Sequence, residues 1–270
     1  MRFGAPVSGY SDDPEKWADN VKQNGYSAAY CPVDAEASDS LIMDFFKAAA
    51  LNDITIAEVG AWSNPISPDE NARTEALLKC KKNLELAEKI GARCCVNISG
   101  SRSRQWDGPH EDNLTDETFE IIVDSVREII DAVKPERTFY TLETMPWAYP
   151  DTADIYLKLI EAVDRKQFAA HLDPVNMINN PWTYYNNRLL IRDCFKKLGR
   201  YIRSCHAKDI ILSGMLTLHL DETIPGAGIL CYKTYVSELK KIDPDAPLML
   251  EHLKTEDEYK TAAAYVRRFI

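Results

Sequence analysis

The sequence has no run of about 18 apolar residues, so no helical membrane span is expected. The opening Met1–Val7 turns polar too soon for a secretory signal and reads as a first strand. The seven cysteines (31, 80, 94, 95, 194, 205 and 231) are odd in number and form no C-x-x-C. That excludes a disulfide framework or a zinc knuckle and leaves reduced thiols in a cytoplasmic protein as the expectation. Basic charge is scarce: 32 Lys and Arg stand against 42 Asp and Glu, a net charge of −10. The basic footprint of a nucleic-acid binder is missing, and an anionic membrane would repel the chain. Neither nucleic acid nor membrane is therefore expected as a partner. No G-x-G-x-x-G follows the first strand, and no Gly-rich phosphate cradle is visible, which tilts any substrate toward an unphosphorylated one. Low-complexity tracts and Pro/Gly/Ser linkers are absent too, so residues 1–270 read as a single domain.

What is present is an alternating pattern. Of 270 residues, 45% are hydrophobic, ample for a real core. Short β-rich runs occur at Arg2–Val7, Tyr26–Cys31, Ile54–Val59, Ala92–Ile98, Thr138–Thr144, Phe168–Asp173, Tyr201–His206 and Pro247–His252. Several are almost continuously apolar, as strands covered on both faces are. Amphipathic segments lie between them: 13–24, 40–52, 68–90, 115–133, 151–163, 182–198, 232–241 and 256–269. Eight units of about 34 residues each have the size of βαβ repeats. The expected class is therefore α/β, a single (β/α)8 TIM barrel. An open doubly wound sheet is the weaker alternative without the dinucleotide fingerprint. The longest irregular stretch, about 207–230, follows the seventh strand and would lie over the active face.

Barrel chemistry is built at the C-terminal ends of strands. There the sequence places Glu143, Asp173, His206 and Glu251, each after an apolar run, with spacings of 30, 33 and 45 residues. One strand-end carboxylate is commonly a cap or half of a salt bridge. Four such residues at matching ends of consecutive units are hard to explain as caps, and a bare acidic cluster repels itself unless a cation joins it. Three carboxylates with one imidazole suit one divalent cation, with Mn²⁺ favoured, Mg²⁺ or Co²⁺ next and Zn²⁺ as an alternative.

The set Leu-Glu143, Leu-Asp173-Pro, Cys-His206-Ala-Lys208-Asp and Leu-Glu251-His resembles the xylose-isomerase-like barrel superfamily along the whole chain. The likeness is to its sugar phosphate isomerase/epimerase branch, which includes the ketose 3-epimerases. The turn Pro225-Gly226-Ala227-Gly228 also matches. The resemblance implies that these four residues hold one metal and that Glu143 and Glu251 also move protons. It further implies a homo-oligomer, dimer or tetramer, as such relatives commonly form. Two departures stand out. Asn176 occupies a position where the epimerases carry His, and it can hydrogen-bond a hydroxyl but cannot titrate. The segment 207–230 contains no Arg, leaving Lys208 and His219 as its basic groups.

Trp62, Trp106, Trp147 and Trp182 follow strands three to six. Aromatic rings stack on the apolar faces of sugars, so Trp62, Trp106 and Trp147, with Asn176 and Lys208, are expected to contact the substrate. Asn64, Arg104, Gln105 and Asp107 lie nearby. Trp17, in the first helix, and His252 read as structural. His171 points the same way as Asp173 one layer deeper, where it would bond a ligand carboxylate.

The expected function is a divalent-metal-dependent isomerase or epimerase of carbohydrate metabolism, acting on a keto-sugar or related polyol through an enediolate. The first alternative is a lyase or dehydratase on a keto-sugar, inosose or 3-oxo-glycoside. A non-catalytic sugar-binding subunit comes next. An abasic-site endonuclease would need more His ligands than five histidines supply, and the charge opposes duplex DNA.

Overall fold

The computed structural model describes Met1–Ile270. Eight parallel strands close into a barrel: β1 (Arg2–Gly4), β2 (Ala28–Tyr30), β3 (Thr55–Gly60), β4 (Cys94–Asn97), β5 (Tyr140–Glu143), β6 (Phe168–Leu172), β7 (Ile202–Ala207) and β10 (Pro247–Leu250). Their order round the barrel is β1-β10-β7-β6-β5-β4-β3-β2. All eight lie within the expected runs, except that β3 and β7 each extend one residue further. The helices are α1 (Pro14–Gln23), α2 (Asp39–Leu51), α3 (Glu70–Ile90), α4 (Asp116–Val133), α5 (Ala153–Val163), α6 (Pro181–Tyr185), α7 (Asn187–Leu198), α8 (Tyr232–Ile242) and α9 (Glu256–Val266). No helix is long and apolar enough to cross a membrane.

Helix starts follow the polar residue before each apolar run. Asp13, Ser38, Asp69, Thr115, Thr152 and Thr255 each accept a bond from a first-turn backbone N–H, satisfying donors that have no partner within the helix. His110 likewise starts a short 3₁₀ turn by accepting from the Asp112 N–H. Trp17 is fully buried and packs edge-on against Phe45, a core position as expected.

Two local expectations change. The segment 182–198 is two helices, not one. Asn186 leaves the helical range at φ −109° and its side chain bonds the Trp182 carbonyl, the usual way asparagine competes with a helix. The 207–230 segment is not irregular: β8 (Asp209–Ser213) and β9 (His219–Thr223) form an antiparallel hairpin. Leu216, Leu218 and Leu220 alternate in the sequence, but only Leu220 lies in a strand; the other two fall in the turn at 214–218.

The base of that hairpin is fixed by Asp209. Its Oδ1 accepts from the N–H groups of Ile210 (2.9 Å) and Leu230 (2.8 Å), and its Oδ2 from Gly226 (2.9 Å) and Gly228 (3.2 Å). Gly226 has φ +101°, and a Cβ at Gly228 would collide with the Asp209 carboxylate. Both glycines of the Pro-Gly-Ala-Gly turn thus have a steric reason.

Candidate metal centre and active site

Glu143 ends β5, Asp173 follows β6, His206 lies near the end of β7 and Glu251 follows β10. These four strands are consecutive round the barrel, so the ligand candidates descend from one arc of the wall. Register staggers them. Glu143 pairs with His171 on β6, His171 with Ser204 on β7, and His206 with Met249 on β10. Tyrosines of the outer helices pin these strand ends. Tyr235 donates to the His206 carbonyl (2.9 Å), Tyr232 to that of Lys208 (2.7 Å), and Tyr156 to that of Ala169 (3.1 Å) while accepting from the N–H of Leu142 (3.0 Å).

The side chains converge. One ligand atom from each of Glu143, Asp173, His206 and Glu251 lies within 4.8 Å of the others. His206 Nδ1 stands 2.7 Å from Glu251, 3.1 Å from Glu143 and 3.9 Å from Asp173. Lys208 reaches into the same cluster: its Nζ is 2.5 Å from Glu251, 2.9 Å from Asp173 and 3.3 Å from Glu143. Even so, Asp173 Oδ2 and Glu251 Oε1 are buried without a hydrogen-bonding partner. The Lys208 ammonium stands beside both oxygens as a counter-charge. Two unpartnered buried carboxylate oxygens, gathered with a third carboxylate and an imidazole nitrogen, fit a hard divalent cation.

Burial opposes the charge of each group, and the neighbours decide the outcome. For Glu143, Lys208 and His206 outweigh burial and hold the carboxyl well below its ordinary range. For Glu251, His206 does the same more mildly. Asp173 goes the other way: burial dominates, and its carboxyl is pushed up to about 6. Burial disfavours the charged forms of His206 and Lys208, but the surrounding carboxylates hold both protonated well above their ordinary values.

A cavity of about 590 Å³ opens above the cluster, within the range of small-molecule sites. Glu143, Glu251, Lys208 and Asn176 line its floor, and Trp62, Trp106 and Trp147 its wall. Asn176 Nδ2 donates to Glu143 Oε1 at 3.1 Å. The aromatic loops are tied together: Trp147 Nε1 donates to the Asp107 carbonyl (2.7 Å), and Asn113 donates to the carbonyls of Gly108 (3.0 Å) and Trp147 (3.1 Å). Gly60 lacks a side chain where the Trp62 indole folds back over it. Trp182 is 65% exposed on α6 and does not border the cavity.

Pro6, Tyr30, Glu222, His252 and Tyr259 also line the cavity, and the sequence reading singled out none of them as a contact. His252, expected to be structural, has φ +57° and turns its ring to Glu222 at 3.1 Å. The largest omission is Glu58 on β3, buried inside the barrel. His171, expected to bond a carboxylate of the metal set, bonds Glu58 instead, at 2.8 Å. The signal was one charged residue in the otherwise apolar run Ile56-Ala57-Glu58-Val59.

Residues 18–269 match the family described as xylose isomerase-like TIM barrel. The chain belongs to that family. No curated protein matches it in sequence. Among solved structures it is similar to D-psicose 3-epimerase from Clostridium cellulolyticum H10 (18% identity, TM-score 0.71), covering 100% of this chain and 99% of that one. A probable 3-DHS dehydratase from Bacillus anthracis is similar at 16% identity and TM-score 0.71, over 99% and 98% of the two chains. A xylose isomerase-like protein from Mycobacterium smegmatis, in complex with magnesium, is similar at 16% identity and TM-score 0.69, over 99% and 95%. At these identities the likeness concerns the fold, which epimerases and a dehydratase share.

Proposed function

We propose that this barrel is a divalent-metal-dependent carbohydrate epimerase or isomerase acting on a keto-sugar or related polyol. The observation that carries the reading is the pairing of Glu143 and Glu251. They come from strands three apart round the barrel, both line one cavity, and both reach the same His206 nitrogen. Glu143, Asp173, His206 and Glu251 would hold the cation, with Mn²⁺ favoured; the related protein in complex with magnesium supports a divalent ion of this kind. When bound, it would supply stabilisation for negative charge developing on the substrate's oxygens.

The chain's own groups then have distinct tasks. Glu143 and Glu251 are ionised, so either can accept a proton from the carbon beside the carbonyl. The other, meeting the substrate from a different part of the wall, takes up a proton from solvent before the substrate closes the cavity and delivers it to the opposite face, inverting that carbon, while the first carboxyl releases its proton to solvent after product leaves. Asn176 orients Glu143 through its 3.1 Å bond. Trp62, Trp106 and Trp147 cover the apolar face of the sugar and exclude water. The epimerase neighbour supports this reading.

One feature favours a second reading, elimination. Lys208 keeps its proton within 3.3 Å of Glu143 and 2.5 Å of Glu251, a proton source for a departing hydroxyl. The dehydratase neighbour is consistent with it. Incubation of the Mn²⁺-loaded protein with ketoses, keto-glycosides and inososes in D₂O decides between them. Epimerisation gives a product with one deuterium at the inverted carbon and no loss of water. A product lighter by water selects elimination, and a deuterium-free isomer sinks proton exchange altogether.

A further inference from the structure

Beneath the metal-ligand cluster lies a second charged layer that does not border the 590 Å³ cavity. Glu58 comes from β3, diametrically opposite β7 in the barrel order, and its side chain crosses the interior to the far wall. Its Oε1 is 3.1 Å from His206 Nε2. Its Oε2 is 2.8 Å from His171 Nε2 and 2.8 Å from the Ser204 hydroxyl. Glu58, His171, Ser204 and His206 are all essentially inaccessible to solvent. The rings of His171 and His206 meet edge-on with centroids 4.1 Å apart.

A buried carboxylate is costly unless its oxygens are satisfied. Glu58 meets that requirement by accepting three bonds, from two ring N–H groups and a hydroxyl. An ionised carboxylate can only accept, so the ring nitrogens facing it must carry hydrogens. His206 Nε2 therefore carries its hydrogen toward Glu58, at 3.1 Å, in a wall that no cation enters. Nδ1, which faces Glu143 and Glu251, is then the nitrogen that gives up its proton when a cation binds between them.

We propose that Glu58 is a positioning residue for the metal site, holding His206 in the ring orientation and tautomer in which Nδ1 ligates, with His171 and Ser204 anchoring the carboxylate. Glu58 does not line the 590 Å³ cavity, so it acts through His206 and not on the substrate. The inference rests on the metal-site reading above.

The test uses the whole protein and titrates Mn²⁺ into wild type, E58Q and E58A by calorimetry, with circular dichroism confirming the fold. Glutamine keeps the shape but puts an N–H₂ against one of the ring donors. The expected result is a weakening of Mn²⁺ binding by about 10–100-fold, the usual cost of removing such a partner. At saturating Mn²⁺, kcat returns to within about threefold of wild type, which loss of a proton-transfer group would not allow. Histidine ¹⁵N spectra of the Mg²⁺-loaded wild type need no substitution and should show His206 protonated at Nε2 alone. A folded E58Q that binds Mn²⁺ within about twofold of wild type overturns the proposal, as does a wild-type His206 protonated at Nδ1. Should wild type itself bind no metal, the functional reading falls and this inference falls with it. Equal binding by wild type and E58Q removes only the inference.

Discussion

The two nitrogens of His206 face two regions that handle charge differently. On the Nδ1 side, three carboxylates and a lysine crowd together, and two buried oxygens have no hydrogen-bonding partner. On the Nε2 side, one carboxylate accepts three bonds, and both of its oxygens are satisfied. The upper region leaves carboxylate oxygens without a hydrogen-bonding partner and borders the 590 Å³ cavity; the lower is buried, satisfies both oxygens of its carboxylate and leaves only His171 Nδ1 without a partner. A structural salt-bridge cluster would resemble the lower one. Electrostatic frustration at a site that opens to solvent is what a binding centre displays.

If the upper region is the reacting one, E143Q and E251Q should cause the largest losses. Each is expected to lower kcat by about 10²–10⁴-fold at saturating Mn²⁺. Recovery of kcat on adding metal would reassign that glutamate as a ligand only. D173N and H206A should come next, weakening Mn²⁺ binding by at least about 10²-fold while the circular dichroism spectrum stays unchanged, because loss of a ligand exceeds loss of an outer partner. Chelation followed by Mn²⁺ or Co²⁺ addition should abolish and restore activity in the wild type.

The comparison also sets a pH dependence. Without metal, burial works against the imidazolium but the carboxylates keep His206 protonated above its ordinary value. Ligation through Nδ1 must expel that proton, so affinity falls as pH falls. The slope should be about tenfold per pH unit while His206 is charged, steepening below about 6, where Asp173 also binds a proton. Titrations across pH 5–8 would show this; a flat profile would break the assignment of His206. K208M removes the ammonium that competes for the same oxygens and should tighten Mn²⁺ binding by roughly tenfold. The smallest effects belong to the rim. W62A, W106A and W147A should each raise KM by about 5–10-fold, the scale of one aromatic contact, whereas W182A should leave it unchanged.

The upper region was legible in the sequence because each of its residues ends an apolar strand, and barrel topology alone brings strand ends together. Glu143, Asp173, His206 and Glu251 needed only the count of units to be placed side by side. Glu58 escaped because it lies two residues inside β3, and its partners are 113 to 148 positions away. Only closure of the barrel, which sets β3 opposite β7, makes them neighbours. His171 was placed correctly in depth and facing, but its partner came from the far wall. The hairpin at 209–223 went unread for another reason. Its strands are five residues each, short and half polar, and a glycine at 214 masks the alternation.

Asp209 lies next to Lys208 in the chain, so its four backbone contacts act mechanically as a rivet. Movement at the hairpin tip, where Leu216 is 98% exposed, must pass that rivet before it reaches the lysine. Residues 214–218 are therefore a place where the barrel tolerates lengthening, cleavage or grafting of a foreign peptide. Residues 214–218 can vary in length and composition while Asp209 holds the base of the hairpin and β9 keeps Glu222 at the cavity.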